Sequence, residues 1–253
     1  MSLLACLVAL LALAAPARGS TSAADVDSIV AAMVAKEAAY IQELIELVTF
    51  PSVSAAPEHL PDLLAAADWL VGRLQRAGLR NAQLLPNPAG PRPAVYADFL
   101  SDSDPSLPTV LIYAHYDVQP AAPLDAWASP PFKPEVRGGG LYGRGASDDK
   151  GGLLAPVQAV EAVLAAAGGR LPVKVKFLLE GEEEIGSPFL EPFLEAHAAL
   201  LACDFVLSAD GGQISAAQPG LTLGLRGAAA LEVEVQALRR DVHSGMVRCW
   251  KCF

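Results

Sequence analysis

Short apolar segments alternate with segments of helical length along the middle of the chain, and this alternation constrains the fold more than any other feature. Six runs rich in Val, Leu, Ile and Phe are bounded by turn-forming residues and predict strands at residues 94–100, 109–114, 173–179, 204–208, 221–225 and 228–235. Helical segments are predicted at residues 25–50, 61–77, 151–167 and 188–201. Because such alternation requires crossover connections, the sequence predicts an α/β fold with a doubly wound, mostly parallel sheet.

The composition excludes several classes of protein. Apolar residues make up 53% of the 253 residues and charged residues 18%, which is enough to build a large core. The 28 acidic residues exceed the 18 lysines and arginines, so no nucleic-acid partner is expected. No internal stretch is long and apolar enough to predict a membrane span. Four cysteines, one of them near the N-terminus and two within the last five residues, do not form a disulfide framework.

The first 20 residues resemble a leader peptide. Residues 3–15 form an unbroken apolar run that is too short to span a bilayer, and small residues follow it. We therefore expect a signal peptide at residues 1–20 and a secreted protein. A disordered or transit-type N-terminus, with a cytoplasmic protein as one outcome, is the alternative.

Polar residues follow the predicted strands at the point where each strand ends. They are His115 and Asp117, Asp148 and Asp149, Glu180 and Glu182–Glu184, and Asp210. Open α/β sheets bind their ligands at the carboxyl ends of the strands. One imidazole and several carboxylates form a ligand set suited to Zn²⁺ or Mn²⁺, and a cation would relieve the repulsion between the carboxylates.

Each of these features also has a structural explanation. A histidine at a strand end is often only hydrogen-bonded, a run of glutamates is often a solvated loop, and the Asp148–Asp149 pair could cap a helix. A dinucleotide-binding loop at Gly143-Arg144-Gly145 is discarded, because Asp148 stands where the fingerprint needs its third glycine. The occurrence of four polar clusters at successive strand ends favours a metal site.

Six motifs extend this pattern to a known family. They are AHYDVQP, LYGRGASDDKGG, LLEGEEEIGSP, VLSADGG, LTLGLRG and RDVHSG, and they occur in order between residues 114 and 245. The chain thereby resembles the dinuclear-zinc exopeptidases and amidohydrolases, a family that includes carnosinases, glutamate carboxypeptidases, aminoacylases and succinyl-diaminopimelate desuccinylase. The motifs are most similar to those of the carnosinase-like dipeptidases.

The resemblance implies two divalent metal ions, with zinc expected and manganese as the alternative. It assigns His115 and Asp210 as ligands of one ion, Glu184 as a ligand of the other, and Asp148 as the carboxylate that bridges both. The implied substrates are dipeptides, small peptides or N-acyl amino acids, whose amide bond is hydrolysed by a metal-activated water.

The resemblance also assigns two catalytic roles. Glu183 is the expected general base, and Asp117 is expected to hydrogen-bond the free nitrogen of His115 and fix its tautomer. The Asp148–Asp149 peptide bond is typically cis in this family.

After the predicted leader at residues 1–20, the family's domain organisation implies a catalytic domain at residues 21–226. A smaller lid or dimerisation domain is then expected to begin at residue 227 and to continue to residue 253. His243 matches a histidine that reaches substrate in the active site of the partner subunit, so a homodimer is expected for a full-length protein.

The last motif ends at residue 245, the match continues through Met246, and residues 247–253 depart from the family pattern. The family's next segment supplies a further histidine ligand, and the remaining histidines here, His59 and His197, lie outside the motifs. Cys249 and Cys252 could indicate redox or metal chemistry. Because they lie in a terminal segment that does not match the family, an altered reading frame is the favoured explanation. Two functions are therefore expected: a metal-dependent exopeptidase, or a truncated, inactive product that binds one metal ion or a partner chain.

Overall fold

The computed structural model describes residues 23–100 and 104–212, together with residues 215, 218, 220, 222–227, 229 and 231–234. The helices are α1 (Ala23–Ala35), α2 (Glu37–Val48), α3 (Leu60–Arg76), α4 (Lys150–Ala166), α5 (Leu190–Ala196) and α6 (Ala198–Leu201). The strands are β1 (Arg80–Leu85), β2 (Ala94–Phe99), β3 (Thr109–His115), β4 (Glu135–Arg137), β5 (Gly140–Tyr142), β6 (Lys174–Glu180) and β7 (Phe205–Ser208). The chain divides into two units, Met1–Leu221 and Thr222–Phe253, and all of these elements belong to the first.

Five strands form a mixed sheet in the order β1-β2-β6-β3-β7. Strand β3 pairs in parallel with β6 and β7, whereas β2 pairs antiparallel with β1 and β6. Helix α4 lies between β3 and β6 in sequence, and α5 and α6 lie between β6 and β7, which suits parallel pairing. Only residues 86–93 join β1 to β2, and this short connection suits an antiparallel pair. The predicted α/β class is confirmed, and within this five-stranded sheet two strand pairs are parallel and two are antiparallel.

Both faces of this sheet are covered by helices. Along β3, Val110, Ile112 and Ala114 belong to the core shared with α1–α4, whereas Leu111 belongs to a second core with residues of α5 and α6. The alternation follows from the strand geometry, in which successive side chains point to opposite faces. Because both faces are buried, β3 is a continuous apolar run, which is why the sequence could predict it.

An ion-pair network connects helices α2, α3 and α4 on the face of the sheet that these helices cover. Arg73 of α3 is buried, and its Nε lies 2.9 Å from a carboxylate oxygen of Glu43 in α2. Its Nη2 lies 2.5 Å from a carboxylate oxygen of Glu161 in α4. Two carboxylates thus compensate one buried guanidinium in the helical layer.

A buried lysine fixes the start of α4. The Nζ of Lys150 donates to the backbone oxygens of Leu47 and Phe50, 3.0 and 2.7 Å away, at the end of α2. Carbonyls at a helix C-terminus lack partners within the helix, so a lysine there is favourable. Burial lowers the pKa of Lys150 to about 7, although the charge of Asp117 opposes this effect.

Two predicted helices are interrupted. The helix expected at residues 25–50 is divided at Lys36, and the one expected at residues 188–201 is divided at His197. Neither break is marked by glycine or proline. The sequence therefore carries no signal that would end the predicted helix at either position. Strand β1 was not predicted, because Arg80–Leu85 is largely polar and mostly exposed at its start.

The second unit contains no helix or strand among its described residues, which are 222–227, 229 and 231–234. The strands predicted at residues 221–225 and 228–235 are therefore not seen there. Their large apolar side chains are exposed and find no partner strand in the described part of the chain; Leu223, Leu225, Leu231 and Val233 are at least 84% exposed. The lid or dimerisation domain at residues 227–253 stays a prediction.

The predicted leader, residues 1–20, and the tail, residues 247–253, lie outside the described residues. Within the described ranges, no helix is both long and apolar enough to cross a membrane.

Candidate metal centre

Three parallel strands bring the predicted site residues to one edge of the sheet. His115 is the last residue of β3, the turn Glu183–Ile185 follows β6, and Asp210 lies two residues after β7. Since β6, β3 and β7 are neighbours that run in the same direction, their carboxyl ends meet. Asp148 joins them from the loop that leads into α4.

His115 is at the centre of this cluster, and its side chain is completely buried. Its Nε2 lies 3.1 Å from Asp148, 3.8 Å from Glu183 and 3.9 Å from Asp210, measured to the nearest carboxylate oxygens. The carboxylates are more open, with exposed fractions of 64% for Asp148 and 38% for both Glu183 and Asp210. One nitrogen therefore faces three carboxylates that solvent or a small molecule can reach.

Two sets of side chains can each hold a metal ion with ligand atoms within 4.8 Å of one another. The first is His115, Glu183 and Asp210, and the second is His115, Asp148 and Glu184. A nitrogen and carboxylate oxygens are the donors that Zn²⁺ and Mn²⁺ bind. All four predicted ligands are thus brought together. Glu183, predicted as the base, also lies within ligand distance, so geometry alone does not separate its role from that of Glu184.

The charge of the cluster favours a cation at its centre. Burial by itself lowers the pKa of His115, but the hydrogen bond with Asp117 and the charges of Asp117, Asp149 and Glu183 outweigh burial and raise the pKa to about 10. The surrounding carboxylates therefore stabilise positive charge at the imidazole. A divalent ion bound there would supply that charge and replace the proton.

Asp117 connects the imidazole to the glutamate turn. The Nδ1 of His115 lies 3.1 Å from the backbone oxygen of Asp117 and 3.4 Å from its Oδ1. The buried carboxylate also accepts the backbone N–H groups of Glu183 and Glu184, at 3.2 and 3.1 Å. Asp117 therefore lies behind the ring, as its predicted role requires, and it also anchors the two glutamates, which the sequence did not show.

Gln119 is a site residue that sequence reasoning missed. Its side-chain Nε2 donates to the backbone oxygen of Glu184 at 2.9 Å and to its carboxylate at 2.8 Å, and its backbone N–H donates to the same carboxylate at 3.2 Å. Its position two residues after Asp117, in the AHYDVQP motif, was the only signal.

Asp149 does not act as a side-chain helix cap, although it occupies the N-cap position of α4. Its carboxylate instead accepts the backbone N–H of His115 at 3.2 Å. Burial raises the pKa of Asp149 to about 7, although the His115 hydrogen bond and charge oppose this. The Asp148–Asp149 peptide bond is cis, as expected.

Close packing at the start of α4 requires a glycine at position 152, because a Cβ there would lie 2.7 Å from a backbone oxygen of Ala209.

The two other histidines that the structure describes, His59 and His197, are not part of either ligand set. The ring Nδ1 of His59 lies 2.8 Å from a carboxylate oxygen of Asp62, and the ring of His197 contacts that of Phe193. His243, the predicted substrate-binding residue, lies outside the described residues.

Comparison with known proteins places this geometry in context. Residues 111–243 match the sequence model of peptidase family M20/M25/M40. The chain is 35% identical over 209 residues to a cysteinylglycine-S-conjugate dipeptidase of Corynebacterium striatum, a match that covers 81% of this chain and 44% of that protein. It is 38% identical over 217 residues to the beta-Ala-His dipeptidase of Homo sapiens, covering 81% of this chain and 42% of that protein.

A solved structure shows the same fold. The crystal structure of human carnosine dipeptidase 1 superposes with a TM-score of 0.67 at 32% identity, covering 75% of this chain and 42% of that chain. The chain thus spans less than half the length of these relatives.

Proposed function

Since the chain belongs to peptidase family M20/M25/M40, we propose that its carboxylate cluster binds divalent metal ions and that the protein hydrolyses the amide bond of dipeptides. The observation that carries this proposal is the buried His115, whose Nε2 faces three carboxylates within 3.9 Å. We propose two zinc ions, with manganese as the alternative. His115, Asp148, Asp210 and Glu184 would hold them, with Asp148 between the two.

When bound, the metal ions polarise the amide carbonyl and acidify the attacking water. Glu183 is the proposed general base, which takes the proton of that water and delivers it to the leaving amine. Its carboxylate is partly exposed, and burial together with the nearby carboxylates raises its pKa, although the charge of His115 opposes this. A raised pKa suits a group that must both accept and release a proton near neutral pH.

The proposed substrates are Cys-Gly and β-Ala-His, because relatives at 35% and 38% identity are named as a Cys-Gly metallodipeptidase and a beta-Ala-His dipeptidase. N-acyl amino acids are a further proposed substrate class.

His243 is proposed to contact substrate bound to the partner subunit of a homodimer, so His243→Ala should raise KM. An unchanged KM in that variant would contradict this role.

The metal site can be tested without measuring activity. The 253-residue chain is stripped of metal and titrated with zinc against a fluorescent chelator, beside His115→Ala and the control His59→Ala. We expect the first variant to bind zinc at least about tenfold more weakly and the second to match the unmodified chain. Equal zinc binding by all three proteins would contradict the proposed site.

The reaction is tested with zinc-loaded protein. Cys-Gly, β-Ala-His and an N-acetyl amino acid are each incubated with the chain and with Glu183→Gln. We expect zinc-dependent release of amino acids that the variant does not support. A chain that binds zinc but hydrolyses none of the three would contradict the dipeptidase proposal and would favour the non-catalytic alternative.

Because residues 1–20 are predicted to form a leader, we propose that the protein is secreted. N-terminal sequencing of the protein from the medium of expressing cells should show that the leader has been removed. Protein retained in the cytoplasm with Met1 intact would contradict this proposal.

A further inference from the structure

An ion pair lies directly behind the two glutamates of the candidate site. Nη1 of Arg92 donates to a carboxylate oxygen of Glu182 at 2.8 Å. Both side chains are nearly buried, with exposed fractions of 12% for Arg92 and 5% for Glu182. Neither residue belongs to a candidate ligand set, so the pair does not itself hold a metal ion.

The sheet register explains why the two residues meet. Strand β2 runs antiparallel to β6, with Val95 opposite Leu179. Continuing that register by three residues places Arg92, just before β2, beside Glu182, just after β6. The pair therefore lies at the same sheet edge as His115, which is opposite Glu180 on the other side of β6.

Arg92 also holds a second segment. Its Nη2 donates to the backbone oxygen of Ser54 at 2.6 Å. Ser54 follows Val53, which forms a parallel bridge with Val118 just beyond Asp117. One guanidinium therefore connects the segment beside Asp117 to the turn that carries the glutamates. Its planar group, with donors in fixed directions, suits such a double contact.

Glu182 is the residue through which this contact reaches the turn. Its backbone oxygen accepts the N–H groups of Ile185 at 3.2 Å and Ser187 at 2.9 Å, so Glu182 closes the turn. Separately, the carboxylate of Asp117 accepts the N–H groups of Glu183 and Glu184. The turn thus has two anchors, Glu182 and Asp117.

We propose that Arg92 and Glu182 are positioning residues, whose ion pair holds Glu183 and Glu184 toward His115. This inference rests on the metal-dependent function proposed above. It predicts that loss of the pair loosens the turn and weakens metal binding, even where the fold is retained.

The test uses four variants of the 253-residue chain. Arg92→Met and Glu182→Met each leave one charge unpaired, whereas the double variant removes both charges and should regain stability. Arg73→Met is the matched control, because it also removes a buried arginine that contacts two partners, but in the helical layer. Denaturant unfolding first establishes that each protein is folded under the assay conditions.

The first measurement is amide hydrogen exchange in the metal-free chain. We expect the amides of Glu183 and Glu184 to exchange about tenfold faster in the double variant, as when one hydrogen-bonded anchor is lost. In Arg73→Met these two amides should exchange as in the unmodified chain.

The second measurement is zinc affinity. Loss of a group that orients metal ligands typically weakens metal binding by about 10–100-fold. We expect this loss in the double variant and no such loss in Arg73→Met.

Unchanged exchange of Glu183 and Glu184 in a folded double variant would overturn the inference, and so would equal loss of zinc affinity in Arg73→Met. If the unmodified chain binds no zinc, the proposed function fails. The exchange measurement still decides whether the pair positions the turn, because it requires no metal.

Discussion

The charge around His115 makes zinc binding depend on pH in a way that can be calculated. An imidazole binds a metal ion only through a nitrogen that carries no proton. Burial lowers the pKa of His115, but Asp117 and the neighbouring carboxylates outweigh it and raise the pKa to about 10. At neutral pH a zinc ion must therefore displace a proton from the site.

The size of this effect follows from the pKa. Between pH 7 and a pKa of about 10 there are about three pKa units, and each corresponds to about 1.36 kcal/mol. Displacing the proton therefore costs about 4 kcal/mol of zinc binding free energy at pH 7. Because this cost falls as the pH rises, zinc affinity should increase about tenfold per unit from pH 7 to about pH 9. With the ordinary pKa of 6.5, affinity would be nearly constant over that range.

Competition with a chelator of known affinity measures this dependence at a series of pH values. Calorimetry in two buffers of different ionisation enthalpy should show about one proton released per zinc bound at neutral pH. Asp117→Asn serves as the comparison, because Asp117 is the strongest influence that raises the His115 pKa. In this variant the affinity should level off at a lower pH. Affinity that is constant above pH 7 in the unmodified chain would refute the reasoning.

Three further predictions test individual residues of the site and the packing around it. Glu183→Gln should lower hydrolysis by about 10²–10⁴-fold while metal content stays the same, because it removes the base; stoichiometric loss of metal would instead make Glu183 a ligand. Asp148→Ala should weaken both metal sites and Asp210→Ala mainly one, as metal analysis would show; single-site losses in both would argue against bridging. Gly152→Ala should cost about 1–3 kcal/mol of unfolding free energy, because its Cβ would lie 2.7 Å from a backbone oxygen. Gly211→Ala is its control, since nothing lies within 4 Å of that Cβ, and equal unfolding midpoints would contradict the packing argument.

The strands that could be predicted are those with mostly apolar sequences, whether they are largely buried, as β3 and β6 are, or largely exposed, as β7 is. The apolar runs at residues 109–114, 173–179 and 204–208 agree with β3, β6 and β7 to within one residue at each end. Strand β1 could not be predicted in this way, because the first part of its sequence, from Arg80 to Gln83, is largely polar and exposed and lacks the apolar signal. The break at Lys36 was missed since nothing in its local sequence stops a helix.

The grouping of the metal-site residues could be predicted because it depends on one rule of topology. Strands that are parallel and adjacent end at one edge, so polar residues after each strand meet there. His115, Glu184 and Asp210 obey this rule, and the sequence places each of them at or just after a strand end. The fine division of roles between Glu183 and Glu184 depends on side-chain directions within one turn, which the pattern of residues does not carry.

The Arg92–Glu182 pair could not be predicted, and the reason lies in the direction of β2. In a mostly parallel sheet the strand at residues 94–100 would begin at the edge opposite the site, and Arg92 would be remote from it. Because β2 instead runs antiparallel to β6, its first residues lie beside the last residues of β6. A single reversed strand thus adds a segment from outside the acidic motifs to the site. Only the pairing register, with Val95 opposite Leu179, shows that Arg92 is the arginine placed beside the site.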